Sequence, residues 1–423
     1  MAIALLATIT LASPVSAEPA DSSADRGLTV TVSVDDRRVV PIGIDRGADW
    51  GDVILETGTA IAPGLGKGSY VRRGIAFGSQ RLGTQDTIQM SFASGSLVFQ
   101  SAGFWYGPES AALLGGTGAF RGARGDAQIT VGGGTSEWLI TVLPAAGVDT
   151  AQAAVLEYAR ELVSTSRIEL APPGSTLGNL TQTTGALKDA DTIVADYSAI
   201  STVVQDMSDN RERRAVQAMF EFVDGSIMVN AMIVAQRGAL PTAPISYAIS
   251  GGTGAYAGAA GVADYLPAAD GLTDRWRFTI FGRTALATPV DMKPALQVES
   301  RFTRVRTSGT AKGGIGDLIL AGGWTRTGQA PRDHWAVSAQ SVIFENPGTA
   351  RERHIVLSTL QYNSGSDRLL VLGLSRTAVG GGPSAPVERV VVGGIGEYAG
   401  ASGTATMTPL KARQWRTTFD IAR

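Results

Sequence analysis

A glycine-rich segment that occurs three times constrains the fold of this chain more than any other feature. The copies read LLGGTGAFRGARGDAQI from Leu113, ISGGTGAYAGAAGVADYL from Ile249 and VVGGIGEYAGASGTATMT from Val391. Successive copies are separated by 136 and 142 residues, counted between their second glycines. A period of this length is that of a whole domain rather than of a solenoid unit. The sequence therefore predicts three tandem domains.

Glycine turns of this kind also occur in nucleotide-binding loops, but the context argues against that function. A dinucleotide loop opens a helix inside a strand–helix–strand unit, whereas these copies continue into strand-like segments, two of them interrupted by Pro267 and Pro409. The motif instead predicts a tight connection between strands, where glycine permits positive φ and close backbone approach. Aromatic residues at one shared offset are predicted to close one end of each core: Phe120, Tyr256 and Tyr398.

The composition limits the chemistry available to the chain. Lys and Arg number 36 against 38 Asp and Glu, so no basic surface is predicted for nucleic acid. The lack of cysteine excludes disulfides, thiolate nucleophiles and cysteine-ligated metals. The two histidines, His334 and His354, both lie in the third repeat, so histidine chemistry cannot be common to all three domains. We predict no cofactor and no metal.

Residues 1–17, MAIALLATITLASPVSA, resemble a secretory signal peptide. Their apolar run is too short to span a bilayer, and Val15-Ser16-Ala17 supplies the small residues that a signal peptidase requires. No Lys or Arg precedes the run, so a buried strand is the alternative interpretation. We predict a secreted protein without a membrane span in the remainder of the chain.

After residue 17 the chain alternates short strand-like runs with turns. Leu28–Val34 alternates apolar and hydroxyl residues, and hairpin turns are predicted at Ser94-Gly95 and Asp224-Gly225. Each repeat contains seven or eight such runs, which is typical of a sandwich or a closed barrel. The predicted domains are residues 25–148, 164–288 and 289–423.

A linker helix is predicted between the first two domains, over residues 149–163. Apolar residues fall at helical spacing along one side: Ala151, Ala154, Val155, Tyr158 and Leu162. Asp149 or Thr150 provides an N-terminal cap, and Pro172-Pro173-Gly174 ends the segment. We expect the apolar side to pack between the domains.

The order of elements resembles the allene oxide cyclase and dirigent protein superfamily over essentially all of the chain after residue 17. The segments Gly115–Gly125, Gly251–Gly261 and Gly393–Gly403 are similar to its GGTG-type motif, which is followed by an aromatic residue and a further glycine. Its F-x-x-G-x-I hairpin is similar to Phe92–Leu97 and Phe222–Ile227.

A second element of the superfamily, Gly-Asp-hydrophobic, is similar to Gly51-Asp52-Val53 and Gly316-Asp317-Leu318. The second repeat departs from this element at Ala190. The cyclases also carry a catalytic acidic residue and an asparagine on their first strand, and no matching pair occurs in Leu28–Asp36 or in the corresponding segments. Allene oxide cyclase activity itself is therefore not implied.

The resemblance implies an all-β fold of three tandem eight-stranded antiparallel β-barrels. Because members of the superfamily assemble as trimers of single barrels, three fused barrels are expected to form a monomeric, intramolecular pseudo-trimer. The resemblance also implies a cavity for a small hydrophobic molecule, acting as an isomerase or cyclase mainly by shape to direct cyclisation or stereoselective coupling. The alternative is a non-catalytic ligand-binding or structural barrel protein.

Two sets of recurring residues are the candidate site. Buried carboxyls can transfer protons, so the catalytic candidates are Asp52, Asp191 and Asp317. The alternative is that each carboxylate bonds its own backbone in a turn. The candidate substrate-binding residues lie on the last strand of each repeat, where they either line a cavity or fill the core: Trp138, Trp276 and Trp415.

Other polar residues occur in single repeats. Arg121 and Arg124 are found only in the first copy of the glycine motif and are predicted to be exposed. The two histidines are likewise predicted to lie in exposed loops. For His334 and His354, with Asp333 and Glu352 beside them, the alternative is a site peculiar to the third repeat.

Overall fold

The computed structural model describes residues 26–41, 50–77, 83–103, 109–143, 148–171, 174–268, 274–283, 289–307, 314–327, 335–343, 351–362, 367–378, 382–411 and 413–423. These residues form three closed eight-stranded antiparallel barrels in tandem, which confirms the predicted fold class. The predicted signal peptide and His334 lie outside the described residues. No helix in the described part of the chain is long and apolar enough to cross a membrane.

The strands follow one another along the chain. Barrel 1 consists of β1 Arg26–Val40, β2 Trp50–Ala62, β3 Gly66–Phe77, β4 Thr84–Phe92, β5 Gly95–Gly103, β6 Ser110–Gly116, β7 Arg124–Gly132 and β8 Thr135–Leu143. Barrel 2 consists of β9 Val148–Ile168, β10 Leu180–Asp189, β11 Thr192–Asp206, β12 Arg211–Phe222, β13 Gly225–Gln236, β14 Ile245–Gly254, β15 Ala260–Leu266 and β16 Arg275–Arg283. Barrel 3 consists of β17 Ala295–Val305, β18 Leu318–Thr327, β19 Trp335–Ile343, β20 Arg351–Tyr362, β21 Asp367–Ala378, β22 Val387–Ile395, β23 Ser402–Lys411 and β24 Gln414–Ala422.

Each barrel has up-and-down topology, because every strand pairs with the next and the first strand pairs with the eighth. Closure removes the free sheet edges that would otherwise expose unpaired backbone groups. In barrel 3 the closing contact is short and joins Ala295–Val298 to Gln414–Thr417. The predicted hairpin turns are confirmed, since β5 begins at Gly95 and β13 begins at Gly225.

The predicted linker helix is wrong, since residues 149–163 belong to the strand β9. The first half of β9 pairs with β16 and the second half pairs with β10, so a helix there would leave both neighbouring edges unpaired. Val155 and Leu162, assigned to the apolar side of the helix, are 60% and 42% exposed. Leu156 and Tyr158 instead pack against the core of barrel 2. Strand pairing overrides the helical propensity of this Ala- and Glu-containing segment.

The largest apolar cluster lies between the barrels rather than inside one of them. It is formed by side chains that point outward from the sheets, and we call it the central core. Its members come from all three barrels and include Leu55, Leu114, Ile200, Met228, Leu320 and Leu372. Strands thus carry apolar residues on both faces where they meet a neighbouring barrel, and alternate elsewhere.

The glycine motif lies where the three barrels meet. Its strands β6, β14 and β22 contact one another, and the first glycine of each copy packs on the next barrel in cyclic order. A Cβ atom at these glycines would lie 3.2, 2.4 and 3.1 Å from a neighbouring side chain, in the pairs Gly115–Ala248, Gly251–Val390 and Gly393–Ala112. The motif is a strand connection, as predicted, and it is also the contact between barrels.

A second cyclic set of glycines reinforces this arrangement. Gly51, Gly178 and Gly316 have φ of +88°, +83° and +90° and pack against the end of the first strand of another barrel. The residues that they contact are Val305, Val40 and Ile168, respectively. Repetition of both sets indicates that the three barrels surround a pseudo-threefold axis.

Candidate functional site

Strand pairing determines which residues are equivalent in the three barrels. At the end of the first strand, the paired residues are Val40–Val53, Ile168–Leu180 and Val305–Leu318. Asp52 and Asp317 therefore correspond to Asn179 in barrel 2. Asp191 is exposed in the β10–β11 turn, beside Ala190 with φ +51°. The prediction that Asp191 shares their register is wrong, because Gly178-Asn179-Leu180 occupies that position.

Asp317 and Asn179 hold the backbone that precedes the second strand. Asp317 accepts hydrogen bonds from the backbone N–H groups of Thr307 and Gly314, at 2.9 and 3.0 Å. Asn179 Oδ1 accepts from the backbone N–H groups of Leu170 and Ala171, at 2.7 and 2.8 Å. Since an amide can take the place of the carboxylate, the side chain at this position acts as a hydrogen-bond acceptor for backbone N–H groups in at least two barrels. A catalytic role for Asp52, Asp191 or Asp317 stays a prediction.

Two of the recurring tryptophans occupy one equivalent position, at the centre of a barrel. Trp138 pairs with Ile129 and Trp276 pairs with Tyr265, each partner lying four residues after a motif glycine. Both rings are buried inside their barrels. Trp138 lies 5.5 Å from Phe99 between ring centroids, and Trp276 lies 4.9 Å from Phe220. These tryptophans fill the interiors of barrels 1 and 2.

Trp415 does not occupy that position in barrel 3, contrary to the prediction. The equivalent partner, Met407, pairs with Thr417, and Trp415 lies two residues nearer the β23–β24 hairpin. A shift of two residues keeps the side chain on the inner face of the sheet, so the ring remains buried, but at another depth. Thr417 is fully buried, and its Oγ1 has no hydrogen-bond partner among the described residues.

Two interior positions that are aliphatic or aromatic in barrels 1 and 2 are polar in barrel 3. By strand register, Ser358 is equivalent to Ile88 of barrel 1 and Ala218 of barrel 2. Arg389 is likewise equivalent to Ala111 and Tyr247. Arg389 is buried and donates from Nη1 to Ser358 Oγ and from Nη2 to Ser375 Oγ, each at 3.1 Å. Trp415 Nε1 and Tyr362 OH are also buried without a partner in the described part of the barrel. Several donors thus face one interior.

A cluster of ionisable side chains lies at the end of barrel 3 where β17 ends and β18 begins. Arg304 donates to Asp317 Oδ2 and to Glu352 Oε1, each at 2.8 Å. His354 Nε2 lies 3.4 Å from Glu352 Oε2 and 3.1 Å from Thr377 Oγ1. Burial lowers the pKa of His354 to about 4, although Glu352 opposes that shift. The imidazole is therefore neutral at pH 7 and can accept a proton.

The prediction that His354 lies in an exposed loop is wrong, since it is 3% exposed on β20. A signal for this position is present in the sequence. RERRAV, Arg211–Val216, and RERHIV, Arg351–Val356, are 140 residues apart, close to the 142 residues that separate the second and third copies of the glycine motif. Register makes Glu212 equivalent to Glu352, and Arg214 equivalent to His354.

Barrels 1 and 2 carry charges near the same end, but these are satisfied by structural contacts. In barrel 2, Arg214 donates to Glu212 at 2.7 Å and to the carbonyl oxygen of Ala239 at 2.8 Å. In barrel 1, Arg72 donates to Glu56 and Asp86, each at 2.9 Å. In the barrel 1 cluster the arginine is shielded from solvent, because Arg72 is fully buried.

The aromatic residues of the glycine motif close the opposite end of each barrel, as predicted. Each packs against an aromatic residue at the end of the fourth strand. Ring centroids are 6.5, 5.1 and 5.5 Å apart in the pairs Phe92–Phe120, Phe222–Tyr256 and Tyr362–Tyr398.

Arg121 is exposed, as predicted, whereas Arg124 is buried. Arg124 Nη2 donates to the carbonyl oxygen of Ala259 in barrel 2 at 2.9 Å, so it joins two barrels rather than facing solvent. Within the described residues, no three His, Asp or Glu side chains are arranged to hold a metal ion.

Comparisons with known proteins do not reveal a family. No family model and no curated protein matches the chain. Among solved structures, the chain is similar to a pyocyanin demethylase with 17% sequence identity and a TM-score of 0.27. That match covers 30% of this chain and 99% of the demethylase.

Proposed function

We propose that this chain binds a small, mainly apolar molecule inside barrel 3, and that barrels 1 and 2 are filled scaffolds. One observation carries the proposal: Thr417 occupies the position at which Trp138 and Trp276 fill the other two barrels. An eight-stranded barrel is wide enough either to be filled by side chains or to hold one small ligand. With threonine at this position, barrel 3 lacks the side chain that fills the centre of barrels 1 and 2.

The polar groups of barrel 3 suggest the chemistry of the ligand. Thr417 Oγ1 and Trp415 Nε1 are buried donors without a partner among the described residues, so a ligand carrying carbonyl or carboxyl oxygens satisfies them. Leu360 and Val371 belong to the apolar cluster of the same interior. The proposed ligand is therefore an apolar molecule with one or more oxygen acceptors.

Native mass spectrometry of the protein purified from its own producer tests this proposal. We expect an additional mass that is released on denaturation, and its loss in Thr417→Trp, which restores the tryptophan of the other barrels. Trp276→Phe serves as the control, because it changes a filled barrel and should retain the additional mass. Absence of any additional mass, or its retention in Thr417→Trp, would contradict binding in barrel 3.

A second candidate function is direction of a cyclisation or stereoselective coupling in the same barrel. It is favoured by the buried pair of His354 and Glu352, in which a neutral imidazole lies beside a carboxylate held by Arg304. Membership of the allene oxide cyclase and dirigent superfamily belongs to this proposal, supported by barrel topology and the glycine motif. We expect His354→Gln to retain the bound mass while the released molecule changes from one stereoisomer to a mixture. A single stereoisomer from both proteins would rule out this role.

We also propose that the protein is exported, on the basis of residues 1–17. N-terminal sequencing of protein recovered from outside the cell should begin at Glu18. Recovery of the intact N-terminus would contradict cleavage at this position.

A further inference from the structure

A cleft lies at the junction of the three barrels, outside every barrel interior. Its empty space is about 480 Å³, counted out to the surrounding solvent. Each barrel contributes to its lining: Arg73 and Thr87 from barrel 1, Thr202 and Gln217 from barrel 2, and Ile355 and Leu357 from barrel 3. Barrel 1 provides a polar wall and barrel 3 an apolar wall, whereas the wall from barrel 2 is mixed and also includes Ile200, Ala215 and Val216. We call this space the junction cleft.

Arg73 is the charged group of the junction cleft, and no described residue neutralises it. It lies on β3 and is half-buried, and its Nε is shielded from solvent without a hydrogen-bond partner among the described residues. Burial lowers the pKa of Arg73 to about 10, and no acidic neighbour opposes that shift. The guanidinium is still protonated at pH 7, so the cleft carries a poorly solvated positive charge.

The adjacent residue Arg72 provides a comparison, because its positive charge is neutralised by carboxylates of the same barrel. Arg72 faces into barrel 1, where it pairs with both Glu56 and Asp86. Burial alone would lower the pKa of Arg72, but these two carboxylates raise it above its usual value. Arg73 points to the opposite face, where the described residues provide no such carboxylate pair.

The lining of the junction cleft is not repeated at the equivalent positions of the described strands. Pairing of the second and third strands places Ile200 of barrel 2 and Gln340 of barrel 3 at the register of Arg73. The fourth-strand neighbours of these positions are Thr87, Gln217 and Leu357. A single guanidinium therefore faces hydroxyl and amide groups on one side and aliphatic groups on the other.

We infer that the junction cleft binds one small organic carboxylate, with its carboxyl group on Arg73 and a short apolar body against Ile355 and Leu357. A guanidinium presents two parallel N–H groups to a carboxylate, and such charge-assisted hydrogen bonds strengthen as water is excluded. Thr87 and Thr202 provide hydroxyl donors at the same wall. The site is separate from the interior of barrel 3 and is independent of the proposed function.

Thermal unfolding in the presence of butyrate tests this inference, with 1-butanol and butylamine as neutral and cationic probes of the same size and sodium chloride matching the ionic strength. We expect only butyrate to raise the melting temperature in a saturable manner. Arg73→Gln should weaken this response about tenfold or more, the cost of one charged hydrogen-bond partner. Lys67→Gln, an exposed cation on the same strand, should leave the response unchanged.

The stability of the variant without butyrate separates a ligand site from a structural ion pair. If Arg73 is a ligand-binding residue without a partner inside the chain, Arg73→Gln without butyrate should be at least as stable as the native chain. The substitution removes an uncompensated cation. A less stable variant that keeps the native butyrate response would overturn the inference, as would the lack of any butyrate response in the native chain. Should Arg73→Gln fail to fold, Arg73→Lys keeps the charge but loses the paired N–H groups; unchanged butyrate affinity there would also contradict the inference.

Discussion

At the scale of single residues, barrel 3 carries different residue types at positions that it shares with the other barrels, such as His354 at the position of Arg214. His354 lies inside a sheet, and its only acidic neighbour in the described contacts, Glu352, is already bonded to Arg304. Arg304 and Arg389 further disfavour a second positive charge on the ring. The ring is therefore held neutral by burial and by its cationic neighbours.

This neutral state predicts how stability depends on pH. The pKa of His354 is about 4 in the folded chain against 6.5 for an unperturbed histidine, so between these values the unfolded chain binds the extra proton. The free energy of unfolding should decrease as the pH falls from 6.5 to 4. Urea unfolding at pH 7.5 and pH 5 measures this decrease. His354→Gln, which cannot titrate, should show a smaller decrease, and an equal decrease would mean that other groups cause it.

The buried cluster of barrel 1 makes a prediction about charge removal. Arg72→Met leaves Asp86 buried without its cation and Glu56 with only the partly exposed Arg37, and should reduce the free energy of unfolding by about 3–5 kcal/mol. The exposed pair of Arg38 with Asp36 provides the control, since Arg38→Met should change stability by less than about 1 kcal/mol. Denaturant titration of both variants compares them directly, and similar effects would refute the structural importance of the buried cluster.

At the scale of strands, the sequence predicts most of the elements but not their register. Alternation and glycine spacing predict the hairpins at Gly95 and Gly225 because both depend on neighbouring residues. The register of Trp415 depends on where the β23–β24 hairpin turns, and no local pattern specifies it.

The strand β9 and Asp191 show the same limit. β9 contains good helix formers, and it is extended because strands distant in sequence, β10 and β16, pair with it. A short sequence motif pairs Asp191 with Asp52, whereas the residue of barrel 2 that shares the register of Asp52 is Asn179, twelve residues before Asp191. Motif matching fails here because asparagine serves the backbone as aspartate does.

Gly251 leads to a prediction about the packing of one barrel on the next. Its φ is +149°, and a Cβ atom there would lie 2.4 Å from Val390 Cγ1. Gly251→Ala should therefore reduce the free energy of unfolding by about 1–3 kcal/mol, through overpacking and backbone strain. Gly132→Ala is the control, because a Cβ atom there meets nothing within 4 Å. Equal unfolding midpoints for the two variants would show that the contact tolerates a side chain.

At the scale of the whole molecule, the central core makes the three barrels depend on one another. Separating them would expose apolar residues of each barrel, such as Leu55, Ile200 and Leu320. The chain is therefore expected to behave as one compact particle with the mass of a single chain. Small-angle scattering with light scattering measures both properties, and an extended profile would contradict the pseudo-trimer.

Cleavage between barrels 2 and 3 tests the same dependence. A protease site introduced within residues 284–288 should yield two fragments that still co-elute in size-exclusion chromatography, because the central core holds them without a covalent link. Fragments that separate at micromolar concentration would show that the peptide connection, rather than packing, keeps the barrels together.

The single Arg73 at the meeting point of the barrels has a consequence that only a fused chain allows. An assembly of three identical subunits repeats every inward-facing side chain three times, so one arginine there would become three mutually repelling guanidinium groups. Here Ile200 and Gln340 hold the other two positions. The threefold arrangement of the barrels therefore does not extend to the charge of the junction cleft, which barrel 1 alone supplies among the described lining residues.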